Sequence, residues 1–145
     1  MRIRVTGITV RDDKVLMVEY DDPKIGFHLN FPGGGLDPGE TLHQGLVREL
    51  SEECSLEVVP GRLLTVSEHW KEGELDTLFF AFEAIAADGA QPCMSLTPDT
   101  FQTGVGWYAW DDLDNYNVLP PIHRALQSAV AKDERGYVGV WQIGL

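Results

Sequence analysis

Three observations predict a mixed α/β fold for this 145-residue chain. Short apolar runs with strand-like spacing fill the first thirty positions and return between residues 56 and 110. One helical period starts just after a glycine loop at residues 33–35, and a second starts at the proline pair Pro120 and Pro121. An early and a late helix among many short strands suit helices packed on opposite sides of a mixed sheet.

In chain order, residues 3–10 and 15–18 read as two strands joined by a polar turn at 11–14, a hairpin-like start. Residues 20–26 form a loop, marked by Asp21, Asp22, Pro23 and Gly26, and residues 27–31 a short strand leading into the glycine turn. A helix follows from Leu42 to about Cys54. Residues 56–59 and 63–68 are strand-like, divided by Pro60 and Gly61. After a turn at 72–74, residues 75–85 make the most apolar strand, with Leu78, Phe79, Phe80 and Phe82, expected to be central and buried. Residues 86–104 are polar and irregular and read as a loop beside a functional site. A strand returns at 105–110 and a connection at 111–119. The second helix is expected from Pro120 or Pro121, tolerated in a first turn, to about Lys132, with Ile122, Ala125, Leu126, Ala129 and Val130 as its apolar face. Residues 137–143 are either a further strand or a tail that packs on another subunit, so a homodimer is compatible with the sequence.

Length and charge restrict the function. The chain is expected to form a single domain over residues 1–145, long enough for a sizeable core. With 11 Lys and Arg against 23 Asp and Glu, the net charge of −12 argues against nucleic-acid binding, which depends on basic groups neutralising phosphates. Small anionic substrates stay open if metal ions carry the positive charge. Cys54 and Cys93 give neither a disulfide framework nor metal-ligand spacing, which points to a reducing, cytoplasmic compartment. No run approaches the ~20 apolar residues that span a bilayer, so no membrane association is expected.

Residues 31–56 organise the rest. Thr41 followed three residues later by Gln44 reads as a capping box, which starts the helix at Leu42. Glu49, Glu52 and Glu53 then stand at i, i+3 and i+4 and share one face, while Leu46, Val47, Leu50 and Cys54 form the apolar stripe that anchors the other. The acidic face is left to solvent or substrate. Three like charges so close repel, and an all-oxygen set of this kind is what Mg²⁺, Mn²⁺ or Ca²⁺ prefers. Arg48 reaches Glu52 at i+4 and back to Glu40, and its guanidinium forks well to carboxylates. By itself such a face is compatible with an ordinary solvated surface. The preceding Pro32, Gly33, Gly34 and Gly35 alter that balance, because a loop without side chains lets backbone groups approach a phosphate or a metal.

Gly34, Glu40, Arg48, Glu49, Leu50, Glu52, Glu53 and Leu56 stand in the register Gly, five residues, Glu, seven residues, Arg-Glu-apolar-any-Glu-Glu-any-Gly-apolar. The stretch 34–56 thereby resembles the signature of the Nudix hydrolase superfamily. It departs at Ser55, where the motif has glycine, and at Gly45, where alanine is usual. Serine costs about 1 kcal/mol or less if it takes the left-handed conformation at a helix end. Glycine inside a helix costs about 1 kcal/mol relative to alanine unless close packing requires it.

The resemblance implies an α/β/α sandwich with a mixed sheet, and hydrolysis of a phosphoanhydride in a nucleoside diphosphate linked to another group, with Mg²⁺ or Mn²⁺ as cofactor. It implies Glu49 and Glu53 as main metal ligands, Glu52 completing the cluster or activating water, the Gly33 carbonyl as a backbone ligand, and Arg48 as the orienter with Glu40 as its partner. A further acid from a later loop is expected to serve as ligand or base: Asp99 is the first candidate, with Glu68 and Asp112 as alternatives. A small-molecule nucleotide would meet the backbone of Gly34 and Gly35 and stack on Phe27, His28, Trp70 or Trp107, an interaction worth ~1 to 3 kcal/mol. His28, His69, Arg4 and Lys24 are candidate phosphate donors. The proline, tyrosine and tryptophan-proline features that mark ADP-ribose, dinucleoside polyphosphate and NADH pyrophosphatases are missing, so nucleotide sugars, ADP-ribose-like compounds and nucleoside triphosphates all remain open. Two other classes share the resemblance. One is a nucleotide sensor without catalysis, disfavoured by the complete charged set; the other is an isoprenoid diphosphate isomerase, for which Cys93 would be the available thiol.

Overall fold

A computed structural model describes residues 1–141; of the stretch expected at 137–143, Gln142 and Ile143 lie outside the described residues. The strands form two sheets rather than one. The first has the order β10-β6-β7-β1-β5, made of β10 (Gly136–Trp141), β6 (Val58–Lys71), β7 (Glu74–Ala86), β1 (Arg2–Ile8) and β5 (Gly33–Gly35). The second has the order β2-β3-β4-β9, made of β2 (Val10–Arg11), β3 (Lys14–Asp22), β4 (Gly26–Asn30) and β9 (Val118–Leu119), and β8 (Gln102–Ala109) also pairs with β3. Both sheets are mixed: β1 and β7 run parallel, as do β10 and β6, and β4 and β9.

The hairpin expected at the N-terminus is confined to the two residues of β2 pairing with β3. β1 instead enters the other sheet, because its two edges are taken by β7, in register from Arg2↔Thr77 to Ile8↔Glu83, and by β5. Pro60 and Gly61 do not divide two strands. They form an irregularity in one long strand, β6, where a residue without an N–H is tolerated. The glycine turn is itself the short strand β5. β7 is central, as expected, although along it only Thr77, Ala81, Phe82 and Ala84 are buried, while Leu78, Phe79 and Phe80 are half-buried.

Two helices cover opposite faces. In β3, Leu16 and Val18 pack with Leu46, Leu50 and Cys54 of α1 (Leu42–Cys54), while the alternate Val15 and Met17 pack with Leu126 and Ala129 of α2 (His123–Lys132). Strand periodicity therefore sends successive side chains into two different cores. Val47, expected on the anchoring stripe of α1, is exposed at 38%. α2 starts at His123, with Ile122 in a non-helical conformation as its N-cap, and not at a proline; Pro121 disfavours the helical conformation at Pro120. A 3-10 helix, Trp110–Asn115, fills part of the expected connection. Among the described residues no helix is long and apolar enough to cross a membrane. β10 settles residues 136–141 as a strand paired with β6.

Candidate active site

The site begins with the capping box of α1. The Gln44 N–H donates to the Thr41 hydroxyl at 3.1 Å and the Thr41 N–H to the Gln44 side chain at 2.9 Å, which starts the helix where the sequence placed it. At the far end Ser55 takes the left-handed conformation, φ 54°, with its N–H on the Ser51 carbonyl at 3.0 Å and the Leu56 N–H on the Leu50 carbonyl at 3.3 Å. Serine thus fills the role of the motif glycine without altering the helix exit.

β5 lies against the acidic side of α1. A Cβ at Gly34 would stand 2.4 Å from Glu49 Oε1, and one at Gly33 2.0 Å from the Val5 carbonyl oxygen, so both positions exclude a side chain. Gly45 is explained the same way, since a Cβ there would stand 2.4 Å from Leu36 Cδ2. The Gly33 N–H donates to Glu53 Oε1 at 2.7 Å. Glu53, expected on a solvent-facing acidic face, is buried at 4% exposure, whereas Glu52 is open to solvent. Burial, together with the nearby charge of Glu49, pushes the Glu53 carboxyl up to about 8. Burial likewise raises Glu49, against the opposing pull of Arg48.

Arg48 ties the carboxylates together. Its Nε donates to Glu40 Oε2 at 2.7 Å, its Nη2 to Glu40 Oε1 at 2.9 Å and to the Gly35 carbonyl at 3.0 Å, and its Nη1 to Glu49 at 3.0 Å and Glu52 at 3.2 Å. The bidentate hydrogen bonds lower Glu40 to about 2.

The third wall comes from strand β3 and the loop before β8. The Tyr20 hydroxyl lies 3.0 Å from Glu53 Oε2 and 3.3 Å from Asp99 Oδ2. One phenolic proton cannot serve two carboxylates, so the trio is stable only where a second proton or a cation joins it. Burial and the two adjacent acids raise the Tyr20 phenol well above its usual range. Gln102 fastens the loop, accepting from the Asp99 N–H at 3.3 Å and donating to the Glu53 carbonyl at 3.3 Å. A cavity of about 310 Å³ is lined by Glu52, Glu53, Ser95, Thr97, Asp99 and Gln102. A second, of about 280 Å³, reaches from Gly33 past Arg4 to His69 and Trp141.

The structure therefore brings Arg48, Glu49, Glu52, Glu53, Gly33, Gly34, Gly35 and Asp99 together. It leaves Glu68 on Tyr137 at the sheet edge and Asp112 exposed on the 3-10 helix. The aromatic candidates separate: Phe27, 43% exposed, packs on Tyr116, Trp107 lies under Arg11, and neither they nor Trp70 line these cavities. His28 is buried and stacks on Tyr20 at 5.3 Å, supporting the phenol from behind. Tyr20 and Gln102 escaped the sequence reading because neither stands in a spacing tied to chemistry; the pairing of β3 with β8 brings them to the acids. Among the described residues no three His, Cys, Asp or Glu side chains surround one point closely enough to hold an ion as they stand. Arg48, Tyr20 and the Gly33 N–H occupy their oxygens instead. Even so, the donor chemistry suits a hard divalent cation: all donors are oxygens, and the buried Glu53 has only neutral partners.

The fold is that of a Nudix domain. The NUDIX domain family model matches residues 1–129, and the chain belongs to that family. It is 34% identical over 128 residues to the NAD-capped RNA hydrolase NudC of Klebsiella pneumoniae subsp. pneumoniae, covering 83% of this chain and 44% of that protein. This chain thus spans less than half the length of these curated relatives. Among solved structures it resembles a NUDIX hydrolase from Nitrosomonas europaea (TM-score 0.74, 24% identity, 93% of this chain and 91% of that one). It also resembles a MutT NUDIX hydrolase from Burkholderia pseudomallei (TM-score 0.66, 27% identity, 87% and 95%).

Proposed function

We propose that the chain is a pyrophosphohydrolase that cleaves a phosphoanhydride bond in a small nucleoside diphosphate derivative or nucleoside triphosphate, using Mg²⁺ or Mn²⁺. The observation that carries this reading is that Glu49 and Glu53 both meet the backbone of β5, with the Tyr20 hydroxyl joining Glu53 to Asp99 and burial raising the Glu53 carboxyl to about 8. Glu49, Glu52 and Glu53 would hold the cation, with the Gly33 carbonyl as a backbone ligand. When bound, such an ion neutralises phosphate charge and lowers the pKa of a water. Arg48 keeps Glu49 and Glu52 oriented against β5 and leaves their free oxygens to the cleft. Glu53, with its proton retained to about pH 8 in the metal-free protein, can exchange that proton for a cation near neutral pH. Asp99, exposed and 3.3 Å from the Tyr20 hydroxyl, would accept a proton from an attacking water. Gly34 and Gly35 let the substrate phosphates approach the backbone.

The net charge of −12 favours a small nucleotide over a polyanion. The relative NudC is named for NAD-capped RNA, so an NAD-capped oligonucleotide belongs in the substrate screen beside free nucleotides. The test is product release from nucleotide sugars, ADP-ribose and nucleoside triphosphates, with EDTA as control, for the native chain and Glu53→Gln. The amide introduced by this substitution keeps an oxygen for the Gly33 N–H, so the variant should fold with an unchanged circular dichroism spectrum and lose activity by at least about 100-fold. Undiminished turnover in this variant would remove the assignment. Tight nucleotide binding without product at saturating metal would instead identify a sensor.

A further inference from the structure

The cavity of about 310 Å³ between α1 and the loop before β8 opens at the acids themselves, because Glu52 and Glu53 form one of its walls. Its size falls at the lower end of small-ligand pockets. Ser95, Thr97 and Asp99 form the facing wall, and Gln102 joins the two with both ends of its amide engaged, on the Asp99 N–H and on the Glu53 carbonyl. Among the described residues no Lys, Arg or His side chain and no aromatic ring lines it. The free hydrogen-bonding capacity of the lining is therefore mostly acceptor. Arg48 takes Glu52 Oε2 and the Tyr20 hydroxyl lies at Asp99 Oδ2, whereas no donor among the described residues reaches Glu52 Oε1 or Asp99 Oδ1. The Ser95 and Thr97 hydroxyls lie 3.3 Å apart and the Thr97 N–H donates to Ser95 Oγ at 3.1 Å, so one hydroxyl proton is left for a ligand.

A group that fits such a lining brings donors and little charge. A phosphate beyond the scissile diphosphate brings acceptors and negative charge, and here it would face carboxylates with no guanidinium or ammonium beside it. A nucleobase would find no ring to stack on. An ammonium group would suit the acids, but the divalent cation that Glu49, Glu52 and Glu53 would hold already supplies that charge and repels a second one. Sugar hydroxyls both donate and accept. They can pair with the Ser95 and Thr97 hydroxyls and with the lone pairs of Glu52 and Asp99 that the cation and the attacking water leave free. We infer that this cavity is the subsite for the group joined to the nucleoside diphosphate and that it takes a sugar, so that the substrates are nucleotide sugars, ADP-ribose included, over nucleoside triphosphates. This selection rests on the hydrolase reading above. Ser95 and Thr97 determine it without taking part in the hydrolysis.

Two substrate pairs that share a nucleoside and differ only beyond the diphosphate test it, with the full chain in Mg²⁺: UDP-glucose against UTP, and ADP-ribose against ATP. In whichever pair is cleaved faster, kcat/KM for the sugar member should exceed that for the triphosphate by about tenfold or more. Thr97→Val keeps the shape of the side chain and removes its hydroxyl. It should raise KM for the sugar member by about threefold to tenfold, with kcat and the triphosphate kinetics within about twofold, and Thr97→Ser should restore the native values. Thr97 is exposed, so its replacement should leave the melting temperature unaltered. Calorimetry with the α,β-methylene analogues of both pairs, which resist cleavage at the scissile linkage, separates this proposal from the hydrolase reading. A chain that binds the sugar analogues more tightly but cleaves no nucleotide retains the subsite and loses the hydrolase. A chain that cleaves both members of a pair equally, prefers the triphosphate, or responds to Thr97→Val alike with both retains the hydrolase and overturns the sugar subsite. Faster cleavage of CDP-ethanolamine than of CDP-glucose would overturn it as well, in favour of a cationic group.

Discussion

Glu40 and Glu53 flank the same arginine-held cluster and respond to pH with opposite sign. Glu40 is lowered to about 2 by Arg48, so its folded-state advantage is present above the ordinary carboxyl value of 4.5 and is lost as pH falls toward 2. Glu53 is raised to about 8, so the folded chain holds a proton that the unfolded chain releases near 4.5. Its contribution is complete below pH 4.5 and lost as pH rises through 8. The melting temperature in EDTA should therefore fall between those values more steeply for the native chain than for Glu53→Gln, and Mg²⁺ or Mn²⁺ should raise it more at pH 8 than at pH 5. Parallel slopes for the two proteins would refute the burial argument. Gly34→Ala offers a second test. Its methyl would enter the Glu49 carboxylate and displace it, so kcat should fall by about 100-fold while the fold persists. At this scale the sequence indicated Arg48 with Glu40 and singled out Asp99, but it gave no sign of Tyr20, whose partners are 33 and 79 positions away.

Helix α1 shows how much an element can declare about itself. Its start, its end and its capping box follow from contacts within a few residues, which is why Leu42 and Cys54 were legible as its limits. Its sides were less legible. Val47 is exposed and Glu53 buried, because β5 and β3 cover more of the acidic face than periodicity alone could show. Two changes measure the ends. Thr41→Ala should lower stability by about 1 kcal/mol, as it removes the hydroxyl that accepts from the Gln44 N–H and leaves only the reciprocal bond donated by the backbone N–H of residue 41. Ser55→Gly should raise it by about 1 kcal/mol or less by relieving the left-handed serine. Denaturant midpoints at unchanged m-value would register both, and a neutral Ser55→Gly would show that the conformation costs nothing there.

The whole molecule carries far more acid than base, and much of its local order counters that excess. Arg48 gathers four carboxylates within reach, Asp37, Glu40, Glu49 and Glu52, while Arg62 joins Glu83 to Asp133. Self-repulsion at net charge −12 should make the melting temperature rise with NaCl from low ionic strength toward 0.15 M, roughly where the Debye length is 8 Å. Divalent cations should exceed NaCl at equal ionic strength if they bind the cluster, and equal effects would confine their role to screening.

By itself the sequence determined the family motif, the acidic helix with its cap, and the alternation of short strands around two helices, since each is written in spacings of a few residues. Tertiary structure alone decided that β1 leaves the expected hairpin for the parallel side of β7, that the strands divide into two sheets, and that Tyr20 and Asp99 close on Glu53. The physical reason is that strand pairing and burial are set by which distant segments compete for the same edge and face, a competition that no local spacing records.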